Sequence, residues 1–347
     1  MSIKISSIQG ISAMSVNPIN RWFRTNPDTD RNPLSFLPHT FQGTVAGYVS
    51  GGDSHRINIE KFPFASDANA TDVGDMTVYR ADHAGQSSAS SGYNSGGFPD
   101  SNVIDKFPFA SNGNATDVGD LTVTRYNVTG QSDASGFDGV SGYTSGGRAS
   151  TPAASRSNVI DKFPFASNAN ATDVGDLTVA REQVAGQSST ASGYTSGGRQ
   201  APTTPIPNNY TNIIDKFPFA SNANATDVGD LTALRIAVVG QSSNVSGYTC
   251  GGYTRRTPQV PAPLAPITMV SAIQKFPFAS DSNATSVGNL TVARADAAGQ
   301  SSDVSGYASG GMPYSNVIDK FPFATDANAT DVADLTQGMQ SSAGQQD

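Results

Sequence analysis

KFPFASDANATDVGD, residues 61–75, returns almost letter for letter from Lys106, Lys162, Lys216, Lys275 and Lys320. Its Asp, Asn and Thr spacing is what a hard-cation loop would use. The copies argue against that use. Asn112, Asn168 and Asn222 replace the first Asp, and the fifth copy carries Ser286 and Asn289 in place of two more. A cation loop would lose charge it needs, so these polar residues are read as Asx turns and strand caps. No metal and no cofactor is expected. NAT also recurs as a glycosylation sequon, which is idle without export.

A double glycine recurs in phase, at Gly51-Gly52, Gly96-Gly97, Gly146-Gly147, Gly197-Gly198, Gly251-Gly252 and Gly310-Gly311. Repeats of this length belong to solenoids or propellers. One unit reads as four strands: AGQSS from Ala84, SGYNSGG from Ser91, NVIDKFPF from Asn102 and DVGDLTVTR from Asp117. β-branched and aromatic residues between turn residues support strands, and Gly and Pro interrupt every helical window. Pro108 should end its ladder.

The ends suggest a ring. The first unit begins at AGYVSGG, from Ala46, without an AGQSS strand before it. AGQQD closes the chain, and Gln345 follows Leu335 at the spacing that separates Gln131 from Leu121. The last strand can therefore supply what the first unit lacks. The expectation is an all-β, six-bladed β-propeller of four-stranded antiparallel blades over 44–347, with a 1+3 closure by the C-terminal strand and an N-terminal extension over 1–43.

Bulk composition narrows the partners. Charged residues make up 14% of the 347 residues and the net charge is −8. An acidic chain is a poor match for nucleic acid or anionic lipid. The single cysteine, Cys250, permits no disulfide within the chain and is read as a small core substitution for Ser. No apolar run is long enough for a membrane helix, and the N-terminus lacks the apolar stretch of a secretory signal.

The double glycine, the aromatic strand and an Arg before the next unit (Gly96-Gly97, Phe107 and Arg125, with their counterparts) resemble the kelch repeat. The kelch tryptophan is missing, since Trp22 is the only Trp and lies outside the repeats. The wording VIDKFPFAS…NATDVGDLTVAR…AGQSS is similar to repeats in structural proteins of marine bacteriophages. That resemblance implies a non-enzymatic tail, fibre or capsid-decorating protein, assembled in the host cytoplasm and then carried outside on the virion. A cellular kelch-like protein-interaction module is the alternative, and a carbohydrate-active propeller enzyme a more distant one. A copper-radical site on a kelch propeller needs two His near Tyr and Cys, yet His39, His55 and His83 are the only histidines. A sialidase-like site needs an arginine cluster with Tyr and Glu. Arg80, Arg125, Arg181, Arg235 and Arg294 sit at one fixed blade position, which suits an inter-blade bond to a repeat Asp better. Glu60 and Glu182 are the only glutamates, and no acid–base pair emerges.

Function is expected where the units differ. The connection from the second glycine to the KFPFA lysine is nine residues in three units, then fifteen, eighteen and twenty-three before Lys162, Lys216 and Lys275. In antiparallel blades all three long loops leave from one face. They carry Arg148, Arg156, Arg199, Tyr210, Tyr253, Arg255 and Arg256, residue types enriched at binding hot spots. This half-rim is expected to meet a host-surface glycan, a host protein or a neighbouring subunit. The N-terminal arm carries Trp22, Phe23, Phe36 and Phe41 in a Pro- and Asn-rich setting, and is expected to anchor the chain to other virion proteins.

Overall fold

The computed structural model describes residues 42–134, 139–149, 155–201, 209–255 and 267–347, without the Arg255 side chain. The anchor candidates Trp22, Phe23, Phe36 and Phe41, and the loop residue Arg256, lie outside them. Among the described residues there is no helix. Four-stranded antiparallel sheets follow one another in a propeller-like arrangement.

The second repeat sets the pattern. From the inside outwards it runs Ala84–Ser87, Ser91–Ser95, Val103–Pro108 and Thr116–Asp120. The third strand ends at Pro108, as the missing N–H requires. The outer strand stops at Asp120, short of the expected Arg125, after the register shifts between Ile104 and Asp105. Five such sheets stand as separate four-stranded units. The fourth repeat differs. Its strands Ala185–Ser188, Ser192–Ser196, Asn209–Pro218 and Thr226–Ile236 merge into one eight-stranded sheet with segments of the long connections. Ala343–Gln346 pairs antiparallel with Ala46–Ser50, so the first repeat's inner strand comes from the end of the chain.

Packing between repeats explains the FPF spelling. Pro holds the two phenylalanines so that both meet the tyrosine of the preceding repeat. Phe109 stacks on Tyr48 at 4.8 Å between ring centroids, and Phe107 tilts against it at 5.5 Å. The same trio forms with Tyr93, Tyr143, Tyr194 and Tyr248, and Tyr307 packs against Phe62 and Phe64 of the first repeat. Offset aromatic contacts of this kind add to the burial of large apolar area.

Polar stitches repeat the same path. The motif's Asn takes the backbone N–H at the end of the preceding outer strand: Asp75 donates to Asn114 Oδ1, and so on to Asp334, which donates to Asn69 Oδ1 at 3.0 Å. Asp72 Oδ1 accepts from Gly74 N at 3.2 Å, an Asx turn. Asp67, Asp281 and Asp326 accept from Lys320, Lys216 and Lys275 of the preceding repeat. The six-times-written stretch is thus a joint between repeats.

The recurring arginines are buried and paired. Arg80 meets Asp105, Arg125 meets Asp161, Arg181 meets Asp215 and Arg294 meets Asp319. Gln274 stands at the next Asp position and accepts from the Thr232 N–H, while Arg235 donates to the Gly251 and Ala272 carbonyls. Where the sixth repeat meets the first, Met339 stands at the Arg position. Glu60, at the Asp position, accepts from the Thr336 N–H and hydroxyl. Burial, against those two hydrogen bonds, raises the Glu60 pKa. Cys250 ends a buried strand and is itself fully buried, as a core substitution should be.

Candidate functional site

The inner strands surround a narrow channel. Each carries the glycine of AGQ or its variants TGQ and VGQ, and each glycine abuts the carbonyl of its neighbour's glycine: Gly130 on Gly85, Gly186 on Gly130, round to Gly85 on Gly344. A Cβ at any of these positions would collide with backbone. The adjacent glutamines reach sideways. Gln86 Nε2 donates to the Tyr143 carbonyl at 2.9 Å, and Gln345 Nε2 donates to that of Tyr93 at 3.2 Å.

One end of the channel opens into a cavity of about 130 Å³. Its mouth holds Asp82, Asn127, Gln183, Ala237, Asp296 and Ser341, all at equivalent places and all with φ between 52° and 58°. Their N–H groups form a closed circuit. Asp82 donates to Ser341 O, Ser341 to Asp296, Asp296 to Ala237, Ala237 to Gln183, Gln183 to Asn127 and Asn127 to Asp82, at 2.8–3.1 Å. Two members are acids. Burial, opposed by a hydrogen bond from Ser341 and reinforced by the charges of Asp53 and Glu182, pushes Asp82 up to about 6. Burial and the nearby Asp82 and Asp53 charges push Asp296 up to about 7.

The long connections rise on this same face, because each is tied to the link just before an inner strand. Arg148 pairs with Tyr126, Arg199 with Glu182 and Tyr253 with Ile236. Of the residues expected to bind, Arg156 and Arg199 both reach the buried Glu182. Tyr210 is 9% exposed and packs with Ile236, Ala237 and Ala295. The Tyr253 hydroxyl donates to the Met312 sulfur at 2.6 Å. Arg255 lies in the strand Tyr253–Arg255, opposite Ile267. The low side of the rim carries exposed rings that length variation did not flag: Phe98, 48% exposed and edge-on to Tyr126 at 5.5 Å, and Tyr314.

At the other end of the channel, Gln42 Nε2 donates to the Ser242 and Ser302 carbonyls and Gly43 N to the Ser301 carbonyl. Ser242 and Ser301 line that end. Residues 42 and 43, counted with the arm from sequence, therefore bond to the sheets.

No family model and no curated protein matches the chain. Among solved structures it is similar to one titled "Structure of YjhT", with a TM-score of 0.59 and 10% identity over 77% of this chain and 88% of that one. The fold is a β-propeller.

Proposed function

We propose that this chain is a non-enzymatic virion protein, a tail, fibre or capsid-decorating appendage whose propeller is a rigid display platform. In this reading the propeller has six kelch-like blades. The four inner-to-outer strands of the fourth repeat count as a blade within their larger sheet, and Ala343–Gln346 closes the ring. The observation that carries the platform reading is the closed circuit of backbone hydrogen bonds from Asp82 round to Asn127, with one member from each repeat. A second support is polarity. Unequal loops rise at one end of the channel, while the chain enters at the other, through Gln42. Such a body holds one face outward and leaves residues 1–41 to attach it. The non-enzymatic reading is supported by what the two glutamates do: Glu60 and Glu182 are both buried in structural bonds.

The test is co-sedimentation. Purified virions should carry the full chain, and a chain beginning at residue 42 should stay in the supernatant. Detection of the protein only in the soluble lysate of infected cells would overturn the proposal.

A further inference from the structure

Two guanidinium groups meet at one buried carboxylate on the raised side of the rim, and a third arginine stands beside one of them. Glu182 Oε1 accepts from Arg199 Nη2 at 2.7 Å and lies 2.9 Å from Arg156 Nη2. The two arginines belong to different long connections, so Glu182 pins both. Arg148 stands directly opposite Arg156 in the hairpin formed by Arg148–Ala149 and Ser155–Arg156. Like charges facing each other across a strand pair destabilise it. Among the described residues Arg148 has no ion-pair partner. Clamping both loops to Glu182 takes one arginine from each. The second leaves the cluster cationic, and the third adds repulsion without structural return. Three positive charges against one negative leave +2 here, on a chain whose net charge is −8.

The cluster is accessible. The Arg156 and Arg199 side chains keep 16% and 26% of their surface exposed, while Glu182 is fully covered. A planar guanidinium fork is suited to oxyanions, and holding it in place beforehand lowers the cost of binding. An apolar platform lies next to it: Arg148 pairs with Tyr126, whose ring meets the exposed Phe98.

We propose that Arg148, Arg156 and Arg199 bind the oxyanion of an acidic polysaccharide, with Glu182 as the positioning residue and Phe98 as a surface for the sugar ring's C–H face. Sparse charge separated by neutral hydroxyls suits one cationic spot. A dense polyphosphate would instead meet the carboxylates of Asp53, Asp82 and Asp296 round the mouth. This inference rests on the reading of the rim as the contact face.

The full chain is titrated calorimetrically with a sparsely sulfated dextran sulfate, polygalacturonate, neutral dextran and duplex DNA. Binding to dextran sulfate alone, to polygalacturonate alone, or to both supports the site and identifies sulfate, carboxylate or either as the oxyanion. Arg148→Glu should weaken that binding by roughly tenfold or more without lowering the melting temperature, since it also removes the repulsion with Arg156. Phe98→Ala should weaken it less. Failure of both acidic polymers to bind, wild-type affinity in Arg148→Glu, or tighter binding to DNA would overturn the proposal. Co-sedimentation with virions is independent of this titration, so either reading can fail alone.

Discussion

Gln345 donates from Nε2 to the carbonyl of Tyr93, and the same relationship links Gln131 to Tyr194 with the chain unbroken between them. The join made by the last strand uses the bond found between covalently continuous repeats. Gln345 also bonds Ser50 and Asn94. Gln345→Ala strands buried partners and should cost about 1–3 kcal/mol, as Gln131→Ala should. Chemical denaturation of the two variants checks the equivalence. A neutral Gln345→Ala beside a costly Gln131→Ala would mean that the last strand is dispensable.

Gly130→Ala should destabilise strongly, because the new methyl meets the Gly85 carbonyl on a backbone that cannot turn aside. Overpacking of this kind costs about 1–3 kcal/mol or more. Gly113→Ala, where neighbouring atoms are 3.8 Å or farther, is the control and should melt as wild type does.

The Met339–Glu60 position invites repair. Met339→Arg with Glu60→Asp restores the pair made by Arg125 and Asp161, and should raise the melting temperature at neutral pH. Glu60 holds a raised pKa when folded, so its contribution is full in acid and is lost as pH rises through the folded value. Wild-type stability should therefore fall on going from acid to neutral pH more than that of the double variant. Parallel melts across that range measure the difference.

Asp296 gives a second pH signature. Its folded value of about 7 lies above the ordinary carboxylate range, so the folded state keeps a proton that the unfolded state has released. Stability should decline as pH rises from roughly 4 to 7, and Asp296→Asn should flatten that decline. An unchanged slope in the variant would show that Asp296 does not titrate in this window.

Asp67→Asn copies what three other repeats already carry. The Lys320–Asp67 contact is exposed, so its loss should change stability by less than about 1 kcal/mol. Calcium should leave the melting temperature of both proteins unchanged, since Asp72 and Asn69 are engaged by backbone N–H groups. A calcium-dependent rise would return the motif to the role of a cation loop.

Strands and the turn between the third and fourth were legible because each is spelled by letters that recur in phase, and the face of the long loops followed from antiparallel alternation. That the same stretch also joins neighbouring repeats, through Phe109 on Tyr48 and the Asp75 N–H on Asn114, was not read from it. The buried Arg–Asp pairing was legible from its recurrence, and it lapses where Gln274 and Met339 break the spelling. The channel mouth was not legible. Asp82, Asn127, Gln183, Ala237, Asp296 and Ser341 share no residue type, only a left-handed backbone and a place in a circuit of bonds. Glu182 was hidden for another reason. It occurs once, and its partners come from connections whose lengths differ between repeats, so no period announces it. Its signal was rarity, as one of two glutamates in a chain that otherwise uses aspartate.

Thr44 N lies 2.8 Å from the Asp347 carbonyl oxygen, beside the strand pair that joins Ala46–Ser50 to Ala343–Gln346. The two ends of the repeat array are neighbours in space. A peptide link could join them and the chain could be opened at another turn, so the order in which the repeats are read along the polypeptide carries little of the information that builds the body. What the array does constrain is heredity by duplication. In the closed six-bladed ring proposed above, adding or dropping one repeat would change the angle every neighbour must subtend, while changing the length of a single loop would disturb none of them.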